Sequence, residues 1–428
     1  MYSIRAIKAR TIFDSRGNPT VECEVKTAFG VFKSAVPSGA STGTREAKEL
    51  RDGGKEFNGQ GVTRAVRNIN EIIAPKLIGK DCREQKLIDG ILLELDPTPQ
   101  KEKLGANALL AVSLATARAG AISKKKEVWQ YMSELTFKEA VLPIPALNII
   151  NGGKHAGNEI AFQEYQILPI NFKHFDEAFS AGVEVFHSLK KNLQNKYGKC
   201  AINVGDEGGF APQMKKVEEP LDEITKAIDA CGYAGSIYIG LDVAASSFAF
   251  KDGVGKTLYN IEGHKLSGLT LANEYEELLK YYPIASIEDP FDEDDYYSWE
   301  NFYSTFGKRV QILADDLTVT QKNYIVEAIQ KKRANALLLK VNQVGTLTEA
   351  LESAKIAMDA NWGVQVSHRS GETNDYFIAD LSVGLGCGQI KSGAPCRGER
   401  LAKYNRILKI EEENKLKFAG KKAFPLLK

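Results

Sequence analysis

Lys340 closes an apolar run, Ala336-Leu337-Leu338-Leu339, and stands before Val341, Asn342, Gln343 and Gly345. A lysine at the end of a strand buried on both faces is either a base held where chemistry can use it or an ammonium reaching out to solvent. Other apolar runs end in the same manner and bear on that choice. Asp242 closes residues 237–242, Glu288-Asp289 closes 284–288, and Asp315-Asp316 closes 311–315. Ser367-His368-Arg369-Ser370-Gly371 follows the run at 363–367, and Lys391 closes 387–391. If these ends share one rim, three carboxylates from adjacent strands converge. Unpaired, they would repel strongly. An oxygen-rich cluster without His or Cys suits a hard divalent cation, Mg²⁺ first; the other reading is an ion-pair network with lysine and arginine. Lys340, Arg369 and Lys391 would face them as a basic side, a pairing suited to a small, multiply anionic substrate bridged by metal.

More candidates lie on the connections. Gln163 and Glu164 sit in another apolar run, and His155 lies in Gly152-Gly153-Lys154-His155-Ala156-Gly157. Gly205-Asp206-Glu207-Gly208-Gly209 would offer a carboxyl group opposite Lys340 if it folds over the rim, and is otherwise a surface turn. Pro37-Ser38-Gly39-Ala40-Ser41-Thr42-Gly43 is small and mobile enough to approach a ligand, but lacks the lysine of a phosphate-binding P-loop. Gly384-Leu385-Gly386-Cys387-Gly388 precedes a late strand, which excludes a dinucleotide fingerprint. His174, His187 and His264 fall in helical or loop patterns and read as structural or exposed.

The elements that must position these groups form eight apolar strand candidates, at 144–150, 162–168, 237–242, 284–288, 311–315, 336–340, 363–367 and 387–391. The first two are joined by a glycine-rich stretch too short for a crossover helix, so they are expected to be antiparallel. Two helices, at 175–197 and 218–231, precede the third strand, and helical stretches separate the later ones. The expected fold is a modified eight-stranded α/β barrel of order ββαα(βα)6. Upstream, 4–11, 20–27 and 30–35 read as an antiparallel meander with a turn at 14–20, and residues 46–135 read as helical. That composition predicts an N-terminal α+β domain. The junction is marked by Leu142-Pro143-Ile144-Pro145, and the domains are expected at 1–138 and 139–428.

Composition narrows the function classes. Lys+Arg total 56 against 55 Asp+Glu in 428 residues, which gives no reason to expect nucleic acid or an anionic membrane. No run of about 18 apolar residues suggests a membrane span, and the N-terminus has no signal-peptide core. The six scattered cysteines form no C-x-x-C pair and read as thiols of a reducing compartment, so the cytoplasm is expected.

These motifs together resemble the enolase family along essentially the whole chain. The carriers are residues 14–20, 38–43, 151–158, 205–212, 286–291, 314–320, 336–346, 367–373 and 389–395. The resemblance implies a reversible dehydration of 2-phosphoglycerate to phosphoenolpyruvate, in glycolysis and gluconeogenesis. It implies two Mg²⁺ per site, with Asp242, Glu288, Asp315 and Ser41 as ligands. It puts the base on Lys340, which must be neutral to act, and the acid on Glu207. Lys391 matches the group that meets the substrate carboxylate, and Arg369 and Ser370 match the phosphate site. Gln163, Glu164, His155 and His368 match further active-site positions, with Glu164 and His368 the reserve catalytic groups. It also implies a homodimer or multiple of dimers, with Arg10 facing Glu399 and Glu22 facing Lys409 across the interface. Two rivals remain. One is a related barrel running racemisation or cycloisomerisation, against which Arg369-Ser370 and the 205–209 loop speak. The other is a non-catalytic binding protein, in which the terminal Lys428 would dock a surface receptor.

Overall fold

The computed structural model describes residues 2–40, 43–153 and 156–426. Three strands, β1 (Ala6–Phe13), β2 (Pro19–Thr27) and β3 (Gly30–Ala35), form an antiparallel meander. The turn between β1 and β2 is built by Asp14, whose Oδ1 accepts from the backbone N–H of Arg16 and Asn18, both at 2.9 Å. Helices follow, but they begin later than the sequence pattern suggests. Residues 46–62 hold only a single 3₁₀ turn, broken by Gly53, Gly54 and Gly59 in left-handed backbone. The helices are α1 (Thr63–Arg67), α2 (Ala74–Leu77), α3 (Gln85–Leu95), α4 (Ala106–Ser123) and α5 (Val128–Thr136). By length and composition alone α4 could cross a membrane, but polar Asn107, Ser113, Thr116 and Arg118 interrupt it and 89% of it is buried inside the fold. It packs against β2 and β3 as the core helix of the N-terminal part.

The second part is a closed barrel. Its strands are β4 (Ile144–Asn151), β5 (Glu164–Pro169), β6 (Ile237–Asp242), β10 (Ile284–Glu288), β11 (Gln311–Ala314), β12 (Ala336–Leu339), β13 (Gly363–Ser367) and β14 (Gly388–Lys391). Every position of β4, β5, β10, β11, β12 and β14 is buried, which is why these runs are uninterrupted rather than alternating. β5 runs antiparallel to both β4 and β6, and every other barrel pair is parallel. Helices α6 (Phe175–Tyr197) and α7 (Glu218–Ala230) precede β6. Later strands are separated by α8 (Gly268–Tyr281), α9 (Tyr296–Phe306), α10 (Lys322–Lys331), α11 (Leu347–Asp359) and α12 (Phe377–Leu385), and α13 (Gly398–Glu413) follows β14. The barrel with the expected strand order is therefore present. The sequence reading missed an inserted three-stranded sheet, β7 (Ala249–Lys251), β8 (Thr257–Ile261) and β9 (His264–Ser267), between β6 and α8. Its strands are only three to five residues long, and Tyr259 and Ile261 are its only buried hydrophobics.

The two parts are stitched together at the barrel rim. Ser38 and Gly371 exchange backbone hydrogen bonds at 2.7 and 2.8 Å, and Ser15 N–H donates to Glu372 O at 2.7 Å. The Asp375 carboxylate accepts from Ala35 N–H at 3.0 Å and from Arg118 of α4 at 2.7 and 3.0 Å.

Candidate active site

The strand ends meet as expected. Glu288 and Asp242 lie side by side in register, and Glu164, at the start of the reversed β5, pairs with Asp242 on the other side. A narrow cleft opens to solvent there, lined by Gln163, Glu164, Glu207, Asp242, Asp315, Lys340, His368, Arg369, Ser370 and Lys391. Ser41 and His155 lie outside the described residues, as does Lys428.

The acidic side is compensated by two lysines. Lys391 Nζ lies 2.9 Å from Asp242, 2.8 Å from Glu288 and 3.2 Å from Glu164. Lys340 Nζ makes a very short ion pair with Asp315. Asp315 is also fixed by Gln343, whose Nε2 donates to Oδ1 at 2.9 Å. The ion-pair reading and the metal reading of the sequence therefore meet in the same carboxylates. The tightest carboxylate cluster among the described residues is a different one: Asp289, Asp315 and Asp316 bring oxygens within 4.8 Å of one another. There Asp289 acts as a cap, accepting from the backbone N–H of Asp315 and of Asp316, both at 2.9 Å.

Burial and crowding set the charges. Burial pushes the Glu288 carboxyl well above the usual range, and the adjacent Asp242 adds to the rise. Glu164 is raised by burial and then by Glu207. Burial would also raise Asp315, but the Lys340 ammonium outweighs it and the carboxyl falls below its ordinary value. Lys340 shows the converse. Burial opposes its charge, yet Asp315 prevails and its pKa is raised. Asp315 thus favours the ammonium form of Lys340 in the unliganded cleft. Lys391 is likewise raised against its burial by Asp242, Glu164 and Glu288.

The opposite wall holds anion-binding groups. Arg369 NH1 donates to Glu46 at 2.8 Å and to Asn342 at 3.0 Å. The loop before position 41 lies directly on this guanidinium, and Ser370 Oγ accepts from Ala40 N–H at 2.7 Å. The 205–209 loop does fold over the rim. Gly205 N–H donates to Gly209 O, and Phe210 exchanges backbone bonds with Ile149 and Asn151 alongside β4. Glu207 is brought to 3.3 Å from His368 Nε2 and accepts from Asn148 Nδ2 at 3.0 Å. Burial drives His368 down to about 4 despite the pull of Glu207, so its ring is neutral near pH 7. His174, His187 and His264 are exposed, away from the cleft.

The donors suit a hard cation. Asp242, Glu288 and Asp315 offer only carboxylate oxygens, and the buried Gln163 Oε1 beside Asp242 has no hydrogen-bond partner among the described residues. Sequence reasoning missed Glu46, Asn148, Asp289, Gln343 and Arg400. Gln343 had a signal, three residues beyond Lys340. Glu46 and Arg400 had none, because each reaches the cleft from an element distant in sequence.

Comparison with known proteins agrees with this geometry. The enolase C-terminal TIM barrel domain matches residues 139–426, and the enolase N-terminal domain matches residues 4–132. A curated enolase of Solanum lycopersicum is 52% identical over 425 residues, covering 96% of each chain. The chain belongs to the enolase family of hydro-lyases.

Proposed function

We propose that the chain catalyses the reversible, Mg²⁺-dependent dehydration of 2-phosphoglycerate to phosphoenolpyruvate, with residues 139–428 as the catalytic barrel and 1–138 as its cap. The observation that carries this reading is the convergence of Lys340 and Glu207 on one cleft that also holds Arg369, Ser370 and Lys391. A base, an acid and an anion-binding wall are the groups that a β-elimination from a phosphorylated acid requires.

Arg369 and Ser370 would bind the phosphoryl group, and His155 would be a further substrate-binding residue. Lys391, already among Asp242 and Glu288, would face the substrate carboxylate, with Gln163 beside it. Lys340 takes the proton from the carbon next to that carboxylate. Its amine must be neutral to do so, a state that nearby cations would favour. Held by Asp242, Glu288, Asp315 and Ser41, two Mg²⁺ would supply the positive charge that the substrate carboxylate needs as that proton leaves. Glu207 protonates the departing hydroxide, oriented by Asn148 and His368. Glu164, buried beside Lys391, and His368 are the next groups able to move a proton. The loops at 38–43, 152–158 and 205–209 would exclude water.

The test is appearance of phosphoenolpyruvate from 2-phosphoglycerate with and without a chelator. Substrate turnover to a racemised or cyclised product in its place would overturn the reading. We also place the chain in the cytoplasm, where the buried thiols of Cys23 and Cys82 stay reduced. It would act as a homodimer or multiple of dimers through Arg10, Glu22, Glu399 and Lys409. In the single chain Arg10 pairs with its own Glu22 and Glu24. Interface ion pairs would be screened in high salt, so sedimentation should report weaker association there.

A further inference from the structure

Three cations stand at the start of α13: Arg397 just before it, and Arg400 and Lys403 in its first two turns. Cations at a helix N-terminus oppose its dipole, so their placement needs another reason. Arg400 and Lys403 are fully buried. Arg400 touches both strips of chain that carry the proposed acid and the proposed phosphate groups. Its NH1 donates to His368 Nδ1 at 2.6 Å and to Arg369 O at 2.7 Å. Its NH2 donates to Asp206 O at 3.0 Å and to Ser370 O at 2.5 Å. Its Nε lies 3.4 Å from Glu399.

The cradle around it is built closely. Gly393 has φ +80°, and a Cβ there would lie 3.0 Å from Arg400 Cδ and 2.6 Å from Glu207 O. Tyr404 donates its hydroxyl to Gly393 O at 2.8 Å, holding that turn. A guanidinium only donates, so His368 Nδ1 must accept. The neutral ring then carries its proton on Nε2, the nitrogen 3.3 Å from Glu207.

We infer that Arg400 is a positioning residue for the proton donor: it locks His368 in the tautomer whose Nε2–H faces Glu207, and it ties the 206–207 strip to the 369–370 strip. The acid and the phosphoryl-binding groups are thereby held at one spacing. The kinetic part of this inference rests on the proposed function; the tautomer does not.

Long-range ¹H–¹⁵N spectra of the histidine-labelled protein read the tautomer directly, and His368→Gln assigns the signal among the five histidines. His368 Nε2 should be protonated and Nδ1 bare. In Arg400→Lys one ammonium cannot serve all four acceptors, so the two nitrogen shifts should converge as the ring samples both tautomers. In the same variant dehydration should slow by roughly 10²-fold, the usual result of misplacing a reacting group by about 1 Å. Exchange of the α-proton with deuterated water should fall less, so the ratio of exchange to dehydration rises. A proton on Nδ1 in the parent protein overturns the inference, with no variant needed. So does an unchanged tautomer or an unchanged ratio in folded Arg400→Lys. A parent that forms no phosphoenolpyruvate overturns the proposed function instead, and the spectra still decide the role of Arg400.

Discussion

Gly39→Ala separates a geometric role for the 37–43 loop from mere proximity. A Cβ on Gly39 would fall 2.1 Å from Arg369 NH2 and 2.7 Å from Cζ, whereas ordinary contact begins at 3.4 Å. The guanidinium must therefore retreat by 1.3 Å (3.4 − 2.1) or the loop must lift by as much. An exposed arginine would swing aside freely. This one is 2% exposed and tied to Glu46 at 2.8 Å and Asn342 at 3.0 Å, so either response disrupts the site. Moving the loop instead would strain the Ser38–Gly371 bridge and the Ala40–Ser370 bond. A displacement of this size in a substrate-positioning group costs roughly 10²-fold in kcat/KM. Arg369 would grip the phosphoryl group before and during reaction alike, so the loss should fall mainly on KM. The assay is steady-state dehydration of 2-phosphoglycerate by absorbance of the product. Gly253→Ala, in the β7–β8 turn with nothing within 4 Å of the added carbon, is the control and should match the parent. A Gly39→Ala enzyme with the parent's kcat/KM would refute the claim that the loop's packing sets Arg369.

The acid and base can be told apart by isotope exchange. Lys340→Ala should lose both dehydration and α-proton exchange, while Glu207→Gln should lose dehydration yet keep exchange, each loss at least roughly 10²–10⁴-fold. If Glu207→Gln blocked exchange and Lys340→Ala kept it, the roles would be reversed. Chelation should abolish turnover and added Mg²⁺ restore it, and Glu288→Gln should be inactive but folded by circular dichroism. Full activity after exhaustive chelation would contradict the oxygen-donor reading. Asp375, which joins β3, α4 and the start of α12, is raised by burial but lowered more by Arg118 and backbone donors, for a net fall. A depressed folded pKa stabilises the fold above the unfolded value of about 3.9 and the gain disappears as pH falls through the folded value. Asp375→Asn should therefore cost about 1.5–3 kcal/mol in urea unfolding at pH 7, with the difference from the parent shrinking below about pH 4; a constant difference would argue against the charge pairing.

The barrel was legible because burial on both faces leaves unbroken apolar runs, and because the chemistry sits where those runs stop. Ile237–Asp242, Ile284–Glu288 and Gly363–Ser367 could be bounded to the residue for that reason. The reversal of β5 was also readable, since the 152–163 connection has no room for a helix. Residues 46–62 were not: they were read as the start of the helical stretch, and left-handed backbone at Gly53, Gly54, Phe57, Asn58 and Gly59 breaks it. That error hid Glu46, which reaches Arg369 from the N-terminal part only because 46–62 is loop. The 249–267 sheet escaped notice because short, half-exposed strands leave no periodic signal. The ion pair that Lys340 makes was not legible either. Sequence put acidic and basic strand ends on one rim, but which carboxylate meets Lys340 depends on side-chain reach, and it is Asp315.

The reversal of β5 has a consequence for how this scaffold can vary. In a uniformly parallel barrel each rim loop leads away to an outer helix, so lengthening it displaces the packing behind. Here residues 152–163 both leave and return at the rim, between Asn151 and Glu164, which are paired across β4 and β5. This connection is anchored at both ends beside the chemistry and carries no helix among the described residues. Insertions there should be absorbed without disturbing the outer layer, while their effect falls directly on access to the cleft. Among the rim connections it is the segment where substrate preference could drift with the least penalty in folding.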